Sequence, residues 1–496
     1  MALIYAIAWA LYAVIAKSSQ GINADMGEAL VWMREPALGY PKHPPFIAWE
    51  LTAWFAVFPL SDWSYYLLAA VNLGAGLFAA FLLAGEWLEA EKCAAVMFLL
   101  AVIPFYNFLG LKFDQNSMLI PLWALTIWAF VRSLATRYWG YAVLAGLIGA
   151  ASLLSKYWSI FLLVSLGFAA LFDRHRNAYF RSPAPYVSAL VGAGVMAPHI
   201  YWLIAERFPP ITWVTSRRLS LSLLDWIRSL TEYSAGTLGY ASAAIVLVAL
   251  FVRPPWRGIR DGLFGRSDSR RITAILFWGP LLIPIAVALA THVSLLSLWN
   301  TPALNLLPVV LLGSPLVSVT REQVTQIAGV AVTLPLVALL VSPIVALAAF
   351  LGGVENNAIY TRALATALEP EWARSTDRPL RLVAGPSVLV DSVVMYLPDG
   401  PSTFADFSTN LSPWVDQRRV ARDGVAMVCP LDDSWCIDRM KTVAMEYPNV
   451  RTLDLDIQPS WIGLVGPSQR FAVTVIAPRQ ESGNPVKAPA EAGHID

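Results

Sequence analysis

The first long polar stretch, "SSQGINADMGEALVWMREPALGYPKHPPFIAWE", sets two carboxylates three residues apart, Asp25 and Glu28. A lysine and a histidine, Lys42 and His43, follow just ahead of Pro44 and Pro45. If the chain is helical from Asp25 onward, the two acids share a face, with Trp32 one turn further on. A carboxylate so placed could take a proton from a hydroxyl, and prolines, which fix φ and remove donors, would hold Lys42 and His43 in a set pose for a phosphate. The same residues admit plainer roles. Asp-x-x-Glu at a helix start resembles a capping box, and a tryptophan-rich flank suits a helix lying in a membrane interface. Lys42 could be a snorkelling cation and His43 an exposed loop residue.

Three further places carry charge where apolar segments end. "LKFDQNSM" puts Lys112, Asp114, Gln115 and Asn116 at a turn, "LLSKYWS" interrupts an apolar stretch with Ser155 and Lys156, and "WVTSRRLS" adds Arg217 and Arg218 to a long loop. Singly, each reads as an interface anchor. Together they gather two acids and several cations on one face, an arrangement suited to a charged lipid headgroup.

The elements that must position these groups are membrane helices. The chain is 57% hydrophobic and 14% charged, with 20 Trp and a mean hydropathy of +0.56. A soluble domain has roughly 45–50% apolar and about 25% charged residues. Apolar runs near the length needed to cross a bilayer fall at about 1–16, 64–84, 93–109, 116–134, 140–153, 157–172, 184–204, 236–252, 272–290, 301–317 and 326–350. These predict about eleven transmembrane helices in an all-α polytopic domain spanning 1–350. With the N-terminus inside, the inner loops carry thirteen Lys and Arg against nine on the longer outer loops. Every unusual residue above then lies on the outer side.

Beyond residue 350 the pattern changes. Short β-like runs, "LRLVAG", "GVAMVCP", "VRTLDLDI" and "RFAVTVIAP", alternate with helix-like stretches such as "SWCIDRMKTVAMEY", which predicts a small outer α/β domain over 351–478. Residues 479–496 are polar and read as a disordered tail. Cys429 and Cys436 could close a small loop in an oxidising compartment. The net charge of +1 gives no reason to expect nucleic acid. No internal repeat is evident, which disfavours a transporter built from two related halves.

The runs "DMGEALVWMREPALGYPKHPPFIAW", "KFDQNSMLIPLWALT" and "LLSKYWSIFLL" resemble the bacterial members of the glycosyltransferase family 39 and 83 group. That group has the GT-C fold and includes protein O-mannosyltransferases and the aminoarabinose and galacturonic acid transferases of lipid A. The resemblance covers roughly residues 1 to 320. It implies a sugar transferase of the bacterial inner membrane with its active site and C-terminal domain on the periplasmic side. Its donor would be a polyprenyl-phosphate-linked sugar, and its acceptor a hydroxyl of lipid A, lipopolysaccharide core, another glycolipid or a protein. Asp25 matches the family's first-loop general base, and Glu28 stands three positions on where many members have an adjacent second acid. His43 matches a basic or histidine position facing the donor phosphate, Asp114 an acid of the second outer loop, and Lys156 a basic residue of the later hairpin.

The expected chemistry is an inverting displacement. Asp25 deprotonates the acceptor, Lys42, His43, Lys156, Arg217 and Arg218 hold the lipid phosphate, and Glu28 and Asp114 bind sugar or acceptor hydroxyls. No cofactor is expected. A monophosphate leaving group requires no divalent cation, although one could bind, and no DxD or His-rich metal site is evident in the membrane domain. The competing expectations are a lipid or polysaccharide transporter, and a polymerase or ligase using a diphosphate-linked donor.

Overall fold

The computed structural model describes residues 1–216, 223–265, 267–291, 293–352 and 357–479; Arg217, Arg218 and the tail from 480 onward lie outside them. The chain is a multi-pass membrane protein. Among the described residues, six helices are long and apolar enough to cross a bilayer: Asp62–Ala84, Gln115–Thr136, Ala184–Ala205, Leu224–Val252, Asp268–Thr291 and Arg321–Leu351. Shorter apolar helices occupy Ala2–Ala16, Trp139–Ser155, Tyr157–Phe172 and Ser297–Leu312.

Of the eleven expected spans, six are these long helices, three (1–16, 140–153 and 157–172) are shorter apolar helices, and two differ in form. The 93–109 run is a helix only over Ala90–Ala101, followed by a 3₁₀ turn at Pro104–Tyr106. Pro104 has no N–H to donate and disfavours a helical residue before it, so the helix stops short. The 301–317 run, which contains Pro302 and Pro308, is a 3₁₀ segment at Ser297–Leu306 followed by a short helix at Leu307–Leu312.

Labels follow chain order for the elements that build the site: α1 (Ala2–Ala16), α2 (Ala24–Arg34), α3 (Phe46–Phe55), α4 (Asp62–Ala84), α5 (Ala90–Ala101), α6 (Gln115–Thr136) and α7 (Trp139–Ser155). α1 packs on α4, α4 on α6, and α6 on α7. The start of α6 is fixed from α4, because Asn72 donates to the carbonyl of Ser117 at 2.8 Å from a buried position. α2 and α3 form the loop between α1 and α4, and the Tyr65 hydroxyl of α4 donates to the Met26 carbonyl of α2 at 3.0 Å.

The C-terminal region holds a five-stranded mixed sheet in the order β2-β1-β3-β7-β4. Its strands are β1 (Leu382–Gly385), β2 (Ser402–Ala405), β3 (Val425–Pro430), β4 (Val450–Ile457) and β7 (Gln469–Ile476). β5 (Ser460–Trp461) and β6 (Leu464–Val465) make a separate small hairpin. β1 pairs in parallel with β2 and β3, whereas β7 runs antiparallel between β3 and β4. The four β-like runs of the sequence are β1, β3, β4 and β7. The short strand β2 and the small hairpin carry no comparable signal. Cys429 on β3 is disulfide-bonded to Cys436 on the Ser434–Ala444 helix.

This sheet is built onto the first loop. Val31 of α2 is part of the same apolar cluster as Val383, Val390, Val428 and Val473. Gly27 of α2 lies where any Cβ would overlap the backbone of Asp391 and Ser392, so glycine permits the close approach of α2 to the Ser387–Val393 helix. Arg362 pairs with Asp62 at 2.6 Å and donates to the Ser18 carbonyl at 2.6 Å, while the Tyr396 hydroxyl donates to Asp62 at 2.7 Å. Arg419 pairs with Glu35 at 2.5 Å.

Candidate functional site

α2 is capped by Asn23, whose side chain accepts from the Asp25 backbone N–H at 3.0 Å. The cap is therefore not Asp25, and the two carboxylates are left for other partners. Asp25 faces Lys112, with Oδ2 and Nζ 2.5 Å apart, and Glu28 faces Lys42 at 2.6 Å. Asp25 sits in the first turn of α2, where the helix dipole favours a negative charge, and its side chain is 54% exposed, so a substrate can reach it.

The turn before α6 supplies the next layer. Asp114 is buried and caps α6, its Oδ1 accepting from the backbone N–H groups of Asn116 and Ser117 at 2.9 Å each. Its Oδ2 accepts from the Asn116 side chain at 3.1 Å and lies 3.3 Å from Lys112. Lys112 is thus shared between Asp25 and Asp114. Burial pulls its ammonium down, but the two carboxylates more than offset this and leave it above the ordinary lysine value.

Lys156, in the turn after α7, is 9% exposed. It donates to the side-chain amide oxygen Oδ1 of Asn116 and lies 5.0 Å from the centre of the Trp299 ring. It forms no ion pair among the described residues. Burial pulls it down to about 7, with the charge of Lys112 adding to the effect and Asp114 and Asp25 opposing it.

His43 packs near Trp32, ring centres 5.9 Å apart, and feels both Lys42 and Lys156. Burial, reinforced by those two charges, pushes it down to about 3. It therefore stands in the site as a neutral ring that can donate or accept a hydrogen bond, and not as the cation read from the sequence. Lys42 is pulled down by burial, yet Glu28, with help from Asp391 and Asp406, raises it overall, so it is a cation already engaged.

The fold thus brings together Asp25, Glu28, Lys42, His43, Asp114 and Lys156, drawn from three separate loops. Asp114 is occupied as a cap and as an anchor for Lys112 and Asn116, which leaves it less free for a sugar hydroxyl than the sequence suggests. Sequence reasoning gave no role to Lys112 and Asn116 and did not find Trp299. Lys112 and Asn116 lie beside Asp114 in "LKFDQNSM", so that quoted turn already contained the signal. It also missed two carboxylates from the C-terminal region. Asp391 is buried and accepts from Thr403 at 2.8 Å, and Asp406 accepts from the Ser387 N–H at 2.7 Å. A cavity of about 170 Å³ opens beside Lys112, Asp114 and Asn116, with Phe105, Phe108 and Leu298 on its apolar side. Among the described residues, no three His, Cys, Asp or Glu side chains are grouped to hold a metal ion.

A family model described as dolichyl-phosphate-mannose-protein mannosyltransferase matches residues 42–202, a segment that contains Lys42, His43, Asp114 and Lys156 but neither Asp25 nor Glu28. The chain superposes on the crystal structure of ArnT from Cupriavidus metallidurans bound to undecaprenyl phosphate with a TM-score of 0.60. That match has 14% identity and covers 95% of this chain and 97% of that one. The apo oligosaccharyltransferase of Archaeoglobus fulgidus gives a looser superposition, with a TM-score of 0.46 and 12% identity over 92% of this chain and 69% of that one. No curated protein sequence matches the chain.

Proposed function

We propose that this chain, which has the GT-C fold, is a glycosyltransferase that moves a sugar from a polyprenyl-phosphate-linked donor to an acceptor hydroxyl of a glycolipid or protein. The observation that carries this reading is Lys156, a buried ammonium with no carboxylate partner among the described residues, beside an accessible carboxylate. A buried lysine without a counter-ion is costly, and a lipid phosphate supplies the missing charge. That the structural neighbour ArnT binds undecaprenyl phosphate supports the same donor class.

In the proposed step Asp25 accepts the proton of the acceptor hydroxyl while its oxygen bonds to C1 of the sugar. The bond from C1 to the phosphate oxygen breaks on the opposite side, its electron pair leaves with the polyprenyl phosphate, and the anomeric centre inverts. Lys156 neutralises the departing phosphate. Lys112, shared between two carboxylates, can turn toward the same charge and release Asp25 as a stronger base. His43 donates a hydrogen bond without adding charge. The step as written requires no divalent cation, because the leaving group is a monophosphate. We place the site on the periplasmic face of a bacterial inner membrane; the distribution of Lys and Arg among the loops and the Cys429–Cys436 bond, which suits an oxidising compartment, support this placement.

The phosphodiester of the donor does not titrate near neutrality, so Lys156 dominates the alkaline limb of donor use. Lys156 is charged below about 7 and neutral above it, so kcat/KM for the donor should fall as pH rises through that value. Lys156→Arg should carry the limb to higher pH, and Lys156→Met should lower kcat/KM by roughly tenfold or more and flatten the limb. Unchanged donor kinetics in Lys156→Met would remove Lys156 from the mechanism. Parallel assays with monophosphate- and diphosphate-linked donors test the donor class, and transfer from the diphosphate donor alone would overturn it.

A further inference from the structure

A second cavity, of about 640 Å³, lies between the first loop, the stretch that follows the Ala184–Ala205 helix, and the C-terminal sheet region. Its volume is in the range of ligand pockets. Its walls carry four large aromatic side chains from three different parts of the chain: Tyr40, Trp202, Trp213 and Trp414, with Thr409 and Asn410 at the rim. The rings are held in place. Tyr40 stacks on Trp32 at 4.9 Å, Trp202 stacks on His199 at 5.7 Å, and the Trp414 indole N–H donates to the Thr403 carbonyl at 3.1 Å. The three indoles are half-buried, each keeping part of its surface in the groove. Membrane proteins collect tryptophan at the bilayer interface, but that habit does not account for Trp414, which belongs to the sheet region.

Two pairs of consecutive residues with left-handed backbone lie in the segments that line this groove, Arg207 with Phe208 just before Pro209 and Asp406 with Phe407 just before Thr409. None is glycine, so the chain bears the cost of both turns. Tyr40 and Pro41 of the lining stand directly before Lys42 in the chain, so the groove and the catalytic cluster share the first loop.

We infer that this groove binds a chain of pyranose rings, the glycan part of the acceptor. The C–H bonds on the face of a pyranose carry slight positive charge and lie flat on the electron-rich face of an aromatic ring, while its hydroxyls need polar partners around the edge. Half-buried indoles with Thr409 and Asn410 at the rim offer both. Calling this glycan the acceptor rests on the transferase reading; the binding itself does not.

The test is a titration of the full-length protein in lipid nanodiscs with maltohexaose, cellohexaose and mannohexaose, read by tryptophan fluorescence and calorimetry, with glucose as the single-ring control. At least one hexasaccharide should bind, and glucose should bind far more weakly. Trp213→Ala and Trp414→Ala should each weaken binding roughly tenfold or more. Trp213→Phe and Trp414→Phe should restore most of it, which separates a stacking role from a structural one. Trp435→Ala, at an exposed tryptophan on the Ser434–Ala444 helix, should leave binding unchanged. Asp25→Asn should bind the glycan as the wild type does even if it cannot transfer, so loss of the base reading and loss of the groove reading give different results. Binding of none of the three hexasaccharides, equal binding by the alanine variants, or occupation by an unglycosylated serine- and threonine-rich peptide instead would overturn the inference.

Discussion

Replacement of Asp25 by Asn is expected to lower kcat for sugar transfer by roughly 10²–10⁴-fold, the range a positioned general base contributes, with donor KM changed far less. The amide keeps the size of the carboxylate and leaves the Asn23 cap on the backbone untouched, so insertion and folding should persist. Losing the ion pair with Lys112 should cost little stability, because Asp25 is about half exposed and Lys112 keeps Asp114 at 3.3 Å. The pair also supplies a sharper test. If Asp25 served only to hold Lys112, a variant carrying both Asp25→Asn and Lys112→Met would be no slower than Lys112→Met alone. If Asp25 is the base, the double variant should be slower still. Wild-type kcat in Asp25→Asn, measured at matched expression with a polyprenyl-phosphate sugar, would exclude it as the base.

The second large effect is expected at a residue with no functional group. Gly27→Val should lower transfer by about 10²-fold, because a side chain there meets the backbone of Asp391 and Ser392, and backbone cannot step aside as a side chain can. The Ser387–Val393 helix must then move off α2, tilting the face that presents Asp25 and Glu28. A displacement of about 1 Å in a reacting group can cost that much rate. The loss should appear in kcat, together with faster proteolysis between the first loop and the sheet region. Full activity in Gly27→Val would mean that this contact does not set the position of the acids.

Much of the site is legible along the chain because local pattern controls it. The three-residue spacing of Asp25 and Glu28 needs only one helical turn, and the prolines after His43 stiffen their own neighbourhood. The helix Ala24–Arg34 and four of the five strands of the larger sheet follow from short-range periodicity in the same way. What escaped depends on distance. Lys112 meets Asp25 across 87 positions of sequence, and Asn116 meets Lys156 across 40. The protonation of His43 escaped for a related reason. Its neutrality comes from burial beside Lys42 and Lys156, and burial depends on what the whole fold stacks above a residue. Asp391 and Asp406 could not be foreseen, because nothing local tells a carboxylate of the sheet region that it will stand in the field of Lys42.

The way β7 joins the sheet has a consequence for the order of biosynthesis. This strand lies between β3 and β4, yet it is Gln469–Ile476, made after every helix that enters the membrane. Until it leaves the ribosome, β4 has no neighbour to pair with, and the cluster that includes Val31 lacks Phe471, Val473 and Val475. A nascent chain can therefore insert all its membrane helices while the sheet behind the face bearing Asp25 is still incomplete. On the proposed function, transfer would stay silent until translation is nearly finished, and release of a chain stopped ahead of Gln469 should yield an inserted protein without transferase activity.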